Sequence, residues 1–195
     1  MTYPSSENAS SSTEIEKSEY SADERRALLD LAHRSIESAL SGQPIDTTPP
    51  SEHLAAARGA FTTLHLSGQL RGCIGYVLPT GPLYLTVAET ARAAAFDDPR
   101  FSPVTEDEAP HLKVEISVLS VPEAIDPEDV VIGKHGLIVT WGARRGLLLP
   151  QVPLEWGWDR ETFLSQTCLK AGLPADAWRR GASVQSFIAE VFGEE

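Results

Sequence analysis

The sequence predicts an α+β fold, and three observations carry that prediction. Apolar residues recur at helical spacing in three separate stretches. Segments with alternating or β-branched side chains fall between them. Two short glycine-bearing turns join pairs of those segments into hairpins, the connection that antiparallel strands use. A chain of 195 residues can bury one good core, or a core plus a smaller lobe, without disulfide staples. Its net charge of −12 repels phosphate backbones and so argues against a nucleic-acid partner. Two cysteines 95 positions apart match neither a metal finger nor a disulfide framework. Neither a leader nor a membrane span is legible, and a reducing cytoplasm is the expected compartment.

Residues 1–20 are dominated by serine and glutamate and are expected to be a disordered tail, with the folded domain running over 21–195. Ser21-Ala22-Asp23-Glu24 reads as a capping box. The helix it opens carries Leu28, Leu31, Ala32, Ser35, Ile36, Ala39 and Leu40 on one stripe, and Ser41-Gly42 and Pro44 end it. Residues 60–66 form a strand, Ser67-Gly68-Gln69 a turn, and residues 70–75 the returning strand, with Arg71 and Cys73 on one face and Leu70, Gly72 and Ile74 on the other. Thr80-Gly81-Pro82 opens a second helix, whose alanines 93–95 predict a close approach to the sheet. Asp97-Asp98-Pro99 stops it, and Thr105-Glu106-Asp107-Glu108 is a capped turn. Leu112, Val114, Ile116 and Val118 alternate along a half-buried strand. Residues 122–131 read as a connector, 137–141 and 147–149 as a second hairpin, and 151–158 as irregular. Asp159 caps a helix bearing Phe163, Leu164, Thr167, Cys168 and Ala171, closed by Gly172 and Pro174. A turn at 176–178 precedes a closing strand over 184–192.

Six blocks stand out in order: Leu-Arg-Gly-Cys-Ile-Gly at 70–75, Ala-Ala-Phe-Asp-Asp-Pro-Arg-Phe at 94–101, and segments at 114–120, 133–137, 146–152 and 168–174. Together they resemble the AMMECR domain family over about residues 22–192. The resemblance implies an α+β fold, a mixed sheet with flanking helices in two unequal lobes around a cleft. It also implies a place beside a Memo-type protein and a radical S-adenosylmethionine enzyme in microbes, and it assigns no reaction.

Two readings stand for each candidate residue. Cys73, between Gly72 and Gly75 in its strand, is a nucleophile or metal ligand open to a reactant, or a small packed hydrophobe. Arg71 binds an anionic substrate or pins the hairpin through an internal carboxylate such as Glu115. His135, in a Gly-Lys-His-Gly loop, is a general base or metal ligand, or a surface imidazole. Glu115 meets solvent, pairs with Arg71 or works in a cleft; Arg100 serves a rigid turn or a substrate. Cys168 sits on a core stripe, and only with Cys73 and His135 would it complete a soft-metal set. Trp156, with Trp141, Trp158 and Trp178, walls a pocket or fills core and rim. The glycines lack phosphate-loop spacing, so no nucleotide cofactor is expected. Two functions follow: a cysteine-centred cleft acting on a small molecule, or a partner-binding module without catalysis.

Overall fold

The computed structural model describes residues 18–194. The expected disorder of residues 1–17 lies outside them. Ser18, Glu19 and Tyr20 depart from the expected tail, because Glu190 accepts from the Ser18 hydroxyl (2.8 Å) and the Glu19 amide (2.7 Å), and the Tyr20 ring is buried in the core.

Two helices and four strands form the larger lobe. Helix α1 spans Ala22–Ser41, with Ser21 and Glu24 closing the capping box at one end and Gly42 in the left-handed conformation at the other. Strands β1 (Gly59–Leu66) and β2 (Gln69–Tyr76) form the first hairpin, and helix α2 (Leu83–Phe96) and strand β3 (Leu112–Leu119) follow. The stripes of α1 and α2 bury against one face of the sheet. A hydrogen bond of 2.8 Å between Thr62 and Thr90 satisfies the two hydroxyls buried between sheet and helix. The close approach predicted by the alanines is real, and a glycine completes it: a Cβ on Gly72 would stand 2.0 Å from the Ala94 carbonyl oxygen.

The smaller lobe begins with β4 (Glu123–Ala124), a short strand inside the expected connector, and continues through the hairpin β5 (Gly136–Trp141) and β6 (Arg144–Leu148). The segment read as irregular contains a short helix, α3 (Val152–Trp156), with Pro153 in its first turn and Gly157 in the left-handed conformation at its end. Helix α4 (Arg160–Lys170) is capped by Asp159, which accepts from the Thr162 amide at 2.8 Å. Its apolar stripe, Cys168 included, packs with Leu137, Val139 and Val184 into a second core.

The expected closing strand is two strands. Strand β7 (Ser183–Phe187) joins the smaller sheet and β8 (Ala189–Gly193) the larger, with Ile188 alone between them. Sheet orders are β2-β1-β3-β8 and β4-β7-β5-β6, and every pairing is antiparallel, so two antiparallel sheets replace the single mixed sheet. Beside Ile188 the chain also crosses at Ser120, between β3 and β4. The two crossings exchange hydrogen bonds: the Ser120 amide donates to the Ile188 carbonyl (2.9 Å) and the Ile188 amide to the Ser120 hydroxyl (3.0 Å). Leu119, Ile138 and Phe187, with Phe61 and Leu147 against them, bury the joint. Among the described residues no helix is long and apolar enough to cross a membrane.

Candidate active cleft

Register places the thiol. Thr63 of β1 lies opposite Cys73 of β2 on one side and opposite Glu115 of β3 on the other. Directly opposed residues in an antiparallel sheet share a face, so Cys73, Thr63 and Glu115 form one row across three strands, on the face away from α2. All three are half-buried. The Thr63 hydroxyl donates to the Cys73 sulfur at 3.3 Å. Glu115 stands two strand spacings from the thiol, about 10 Å. One row further on, Phe61 and Gly75 face the smaller lobe.

The outer edge of β2 is sealed at Cys73. Its amide donates to Asp98 Oδ2 at 2.9 Å, and Arg100 Nη2 donates to its carbonyl at 3.3 Å. Asp98 is buried and holds Arg100 through Nε (2.9 Å) and Nη2 (2.7 Å). Those bonds from Arg100, with the Cys73 and Arg100 amides, hold the Asp98 carboxyl far below the usual carboxylate range. The Asp-Pro-Arg turn expected to be structural is therefore also the mount of the thiol's backbone. Arg100 keeps 55% of its side chain exposed, so it sets a cation with an open outer surface beside the Cys73 strand edge.

Arg71 is engaged elsewhere. The β1–β2 register shifts between Leu64 and His65, and Arg71, the extra residue of this bulge, leaves the simple alternation that would set it beside Cys73. Its guanidinium grips Glu108 by two bonds, Nε to Oε1 at 3.1 Å and Nη2 to Oε2 at 3.0 Å, so the internal carboxylate is Glu108 rather than Glu115. That grip lowers the Glu108 carboxyl to about 2, with the Thr105 amide adding to it. The glycines also change meaning. Gly72 admits α2, and a Cβ on Gly75 would strike the Phe61 ring at 2.3 Å, so both serve packing first and substrate access only at the Gly75 backbone.

Three expectations separate in space. His135 lines a cavity of roughly 420 Å³ with Glu19, Arg58 and Ser120, and its Nδ1 accepts from the Val131 amide at 3.1 Å. Arg58 precedes β1 and lies five residues, about 16 Å of extended strand, from Thr63. Cys168 is fully buried in the second core, and burial pushes its thiol up. Cys73, His135 and Cys168 are thus not assembled, and among the described residues no group of three or more His, Cys, Asp and Glu could hold a metal. The tryptophans do not converge either: Trp156 is exposed and stacks on Trp158 at 6.0 Å, while Trp178 lies under Arg179.

A groove of roughly 450 Å³ runs beside β2. Gly75, Tyr76, Val77, Leu78 and Thr80 line one side, and Arg145, Gly146 and Leu147 of β6 the other. Gly75 lies on the Cys73 face, two residues on, and is the lining residue nearest Cys73 along β2; Cys73, Thr63 and Glu115 do not themselves line the groove. Sequence reading passed over Thr63, Glu108 and Arg145. The turn spacing put Arg145 in a hairpin, but nothing local tied it to residues 75–78.

The AMMECR1 family model matches residues 29–192. The chain belongs to the AMMECR1 family. A protein of Thermococcus onnurineus is 45% identical over 184 residues, covering 86% of this chain and 89% of that one. One from Methanopyrus kandleri is 45% identical over 185 residues, with 89% of each covered. The crystal structure of an uncharacterised protein from Pyrococcus horikoshii superposes with a TM-score of 0.69 at 45% identity, over 87% of this chain and 90% of the other. The α+β fold of this AMMECR1 domain, with its two lobes, is therefore shared with a solved relative.

Proposed function

We propose that this AMMECR1 domain binds a small molecule in the groove between β2 and β6 and presents the Cys73 thiol to it as a nucleophile. One observation carries the reading: the sulfur is half-buried rather than closed in the core, hydrogen-bonded by Thr63, with its backbone clamped by Asp98 and Arg100. In the reaction the sulfur forms a bond to an electrophilic carbon as the bond from that carbon to its leaving group breaks; the leaving group departs with the electron pair, the thiol proton passes to solvent, and the Thr63 hydroxyl donates to the sulfur. Arg100 offers positive charge beside the forming bond, and Arg145 a contact for an anionic group in the groove.

The test is a panel of chloroacetamide fragments read by intact-protein mass and peptide mapping. Fragments combining an apolar group with a carboxylate are expected to label Cys73 faster than chloroacetamide itself, and Arg145→Ala to remove that advantage. Labelling of every fragment at the bare rate overturns the proposal.

A further inference from the structure

The outer edge of β2 is covered at one step and bare at the next. Cys73 stands opposite Thr63 with its amide and carbonyl turned away from β1, where Asp98 and Arg100 take them. Main-chain groups alternate along an antiparallel edge, so the amide and carbonyl of Gly75, opposite Phe61, point the same way. Among the described residues no side chain or loop bonds to them on that side, and they open on the groove that Gly75 lines. The facing wall is an edge as well, since β6 ends its sheet as β2 ends the other. Folded proteins cover or charge such edges, because an unpaired amide and carbonyl side by side are a template for another strand. Here the cover stops one step short. Val77, Leu78 and Leu147 make the walls apolar, and Leu78 is 41% exposed. Arg145 stands exposed at the rim, the one cation among the groove's lining residues, and complements a single acidic group on a ligand.

We infer that the ligand of this groove is an extended peptide segment carrying an acidic group, which adds a strand to β2. Its main chain exchanges hydrogen bonds with the Gly75 amide and carbonyl, its carboxylate meets Arg145, and an alternate side chain lies between Leu78 and Leu147. The inference takes the location of the cleft from the proposal above and narrows its ligand to a peptide. A paired donor and acceptor on a strand edge match another main chain, which a generic small molecule does not reproduce.

The experiment is selection of a displayed random-peptide library on the full chain, followed by NMR amide exchange on the complex with an enriched synthetic peptide. Enriched peptides are expected to carry an acidic residue and to slow exchange at the Gly75 amide. Arg145→Glu, or N-methylation of the pairing peptide amide, is expected to weaken binding about tenfold or more. No enrichment, or enriched peptides that leave Gly75 exchange unchanged, overturns the inference. The two proposals fail separately. Fragments that engage Cys73 while no peptide protects Gly75 leave the thiol cleft standing and sink the peptide, and the opposite pair of results does the reverse.

Discussion

Arg71 and Glu108 show what a single residue contributes here. The pair is two-point and mostly screened from water, with 13% and 27% of the two side chains exposed. Because the folded state holds Glu108 at about 2, against an ordinary 4.5, its contribution to stability is complete above the ordinary value and is lost as pH falls toward 2. Glu108→Gln is expected to lower the urea midpoint at pH 7 and to flatten its fall between those two values; an unchanged acid limb would show that the pair does not carry it. Residue chemistry foresaw an arginine pinning the hairpin through an internal carboxylate. It did not name Glu108, which is 37 positions away and reaches Arg71 only because a bulge turns the side chain aside.

At the scale of elements, β2 is built around two contacts of its missing side chains, at Gly72 and Gly75. A methyl group at Gly72 meets helix backbone, which cannot rotate away, so Gly72→Ala forces α2 off the sheet and is expected to cost about 1–3 kcal/mol. Gly81→Ala, where a Cβ meets nothing within 4 Å, should stay within about 0.5 kcal/mol. Urea titration of the two variants checks both, and equal costs would contradict the packing account. Hairpins, helix caps and the buried Cys168 were legible because local chemistry sets them: Ser21 and Glu24 cap without help, and Cys168 lies on its stripe by spacing alone. The division of residues 183–193 into two strands was not, since no glycine or proline interrupts the run from Val184 to Phe192, and only the pairing and the Ser120 contact show that the chain has changed sheets.

For the whole molecule, the two lobes are tied by paired crossings and a shared apolar joint, so they are expected to unfold as one unit. All four tryptophans lie in the smaller lobe, whereas α1 and α2, the longest helices, lie in the larger. Tryptophan fluorescence and far-ultraviolet circular dichroism therefore report on different lobes, and their urea transitions should coincide. Separated midpoints would mean that the joint does not couple them. The candidate site has the same origin. Residues 73, 63 and 115 come from three strands and form a row only through register, so sequence offered Cys73 and Glu115 as separate candidates and passed over Thr63 between them. His135 looked equally suitable by residue type, and the fold sets it beside Arg58 at the far end of β1.

Iodoacetamide labelling of the native protein, with Cys73 and Cys168 resolved by peptide mass, tests the central claim most directly. The account predicts that Cys73 is carboxamidomethylated under native conditions while Cys168, closed in its core, stays unlabelled as an internal control. Labelling of both only when the protein unfolds would contradict it, and Cys73 would then be packing.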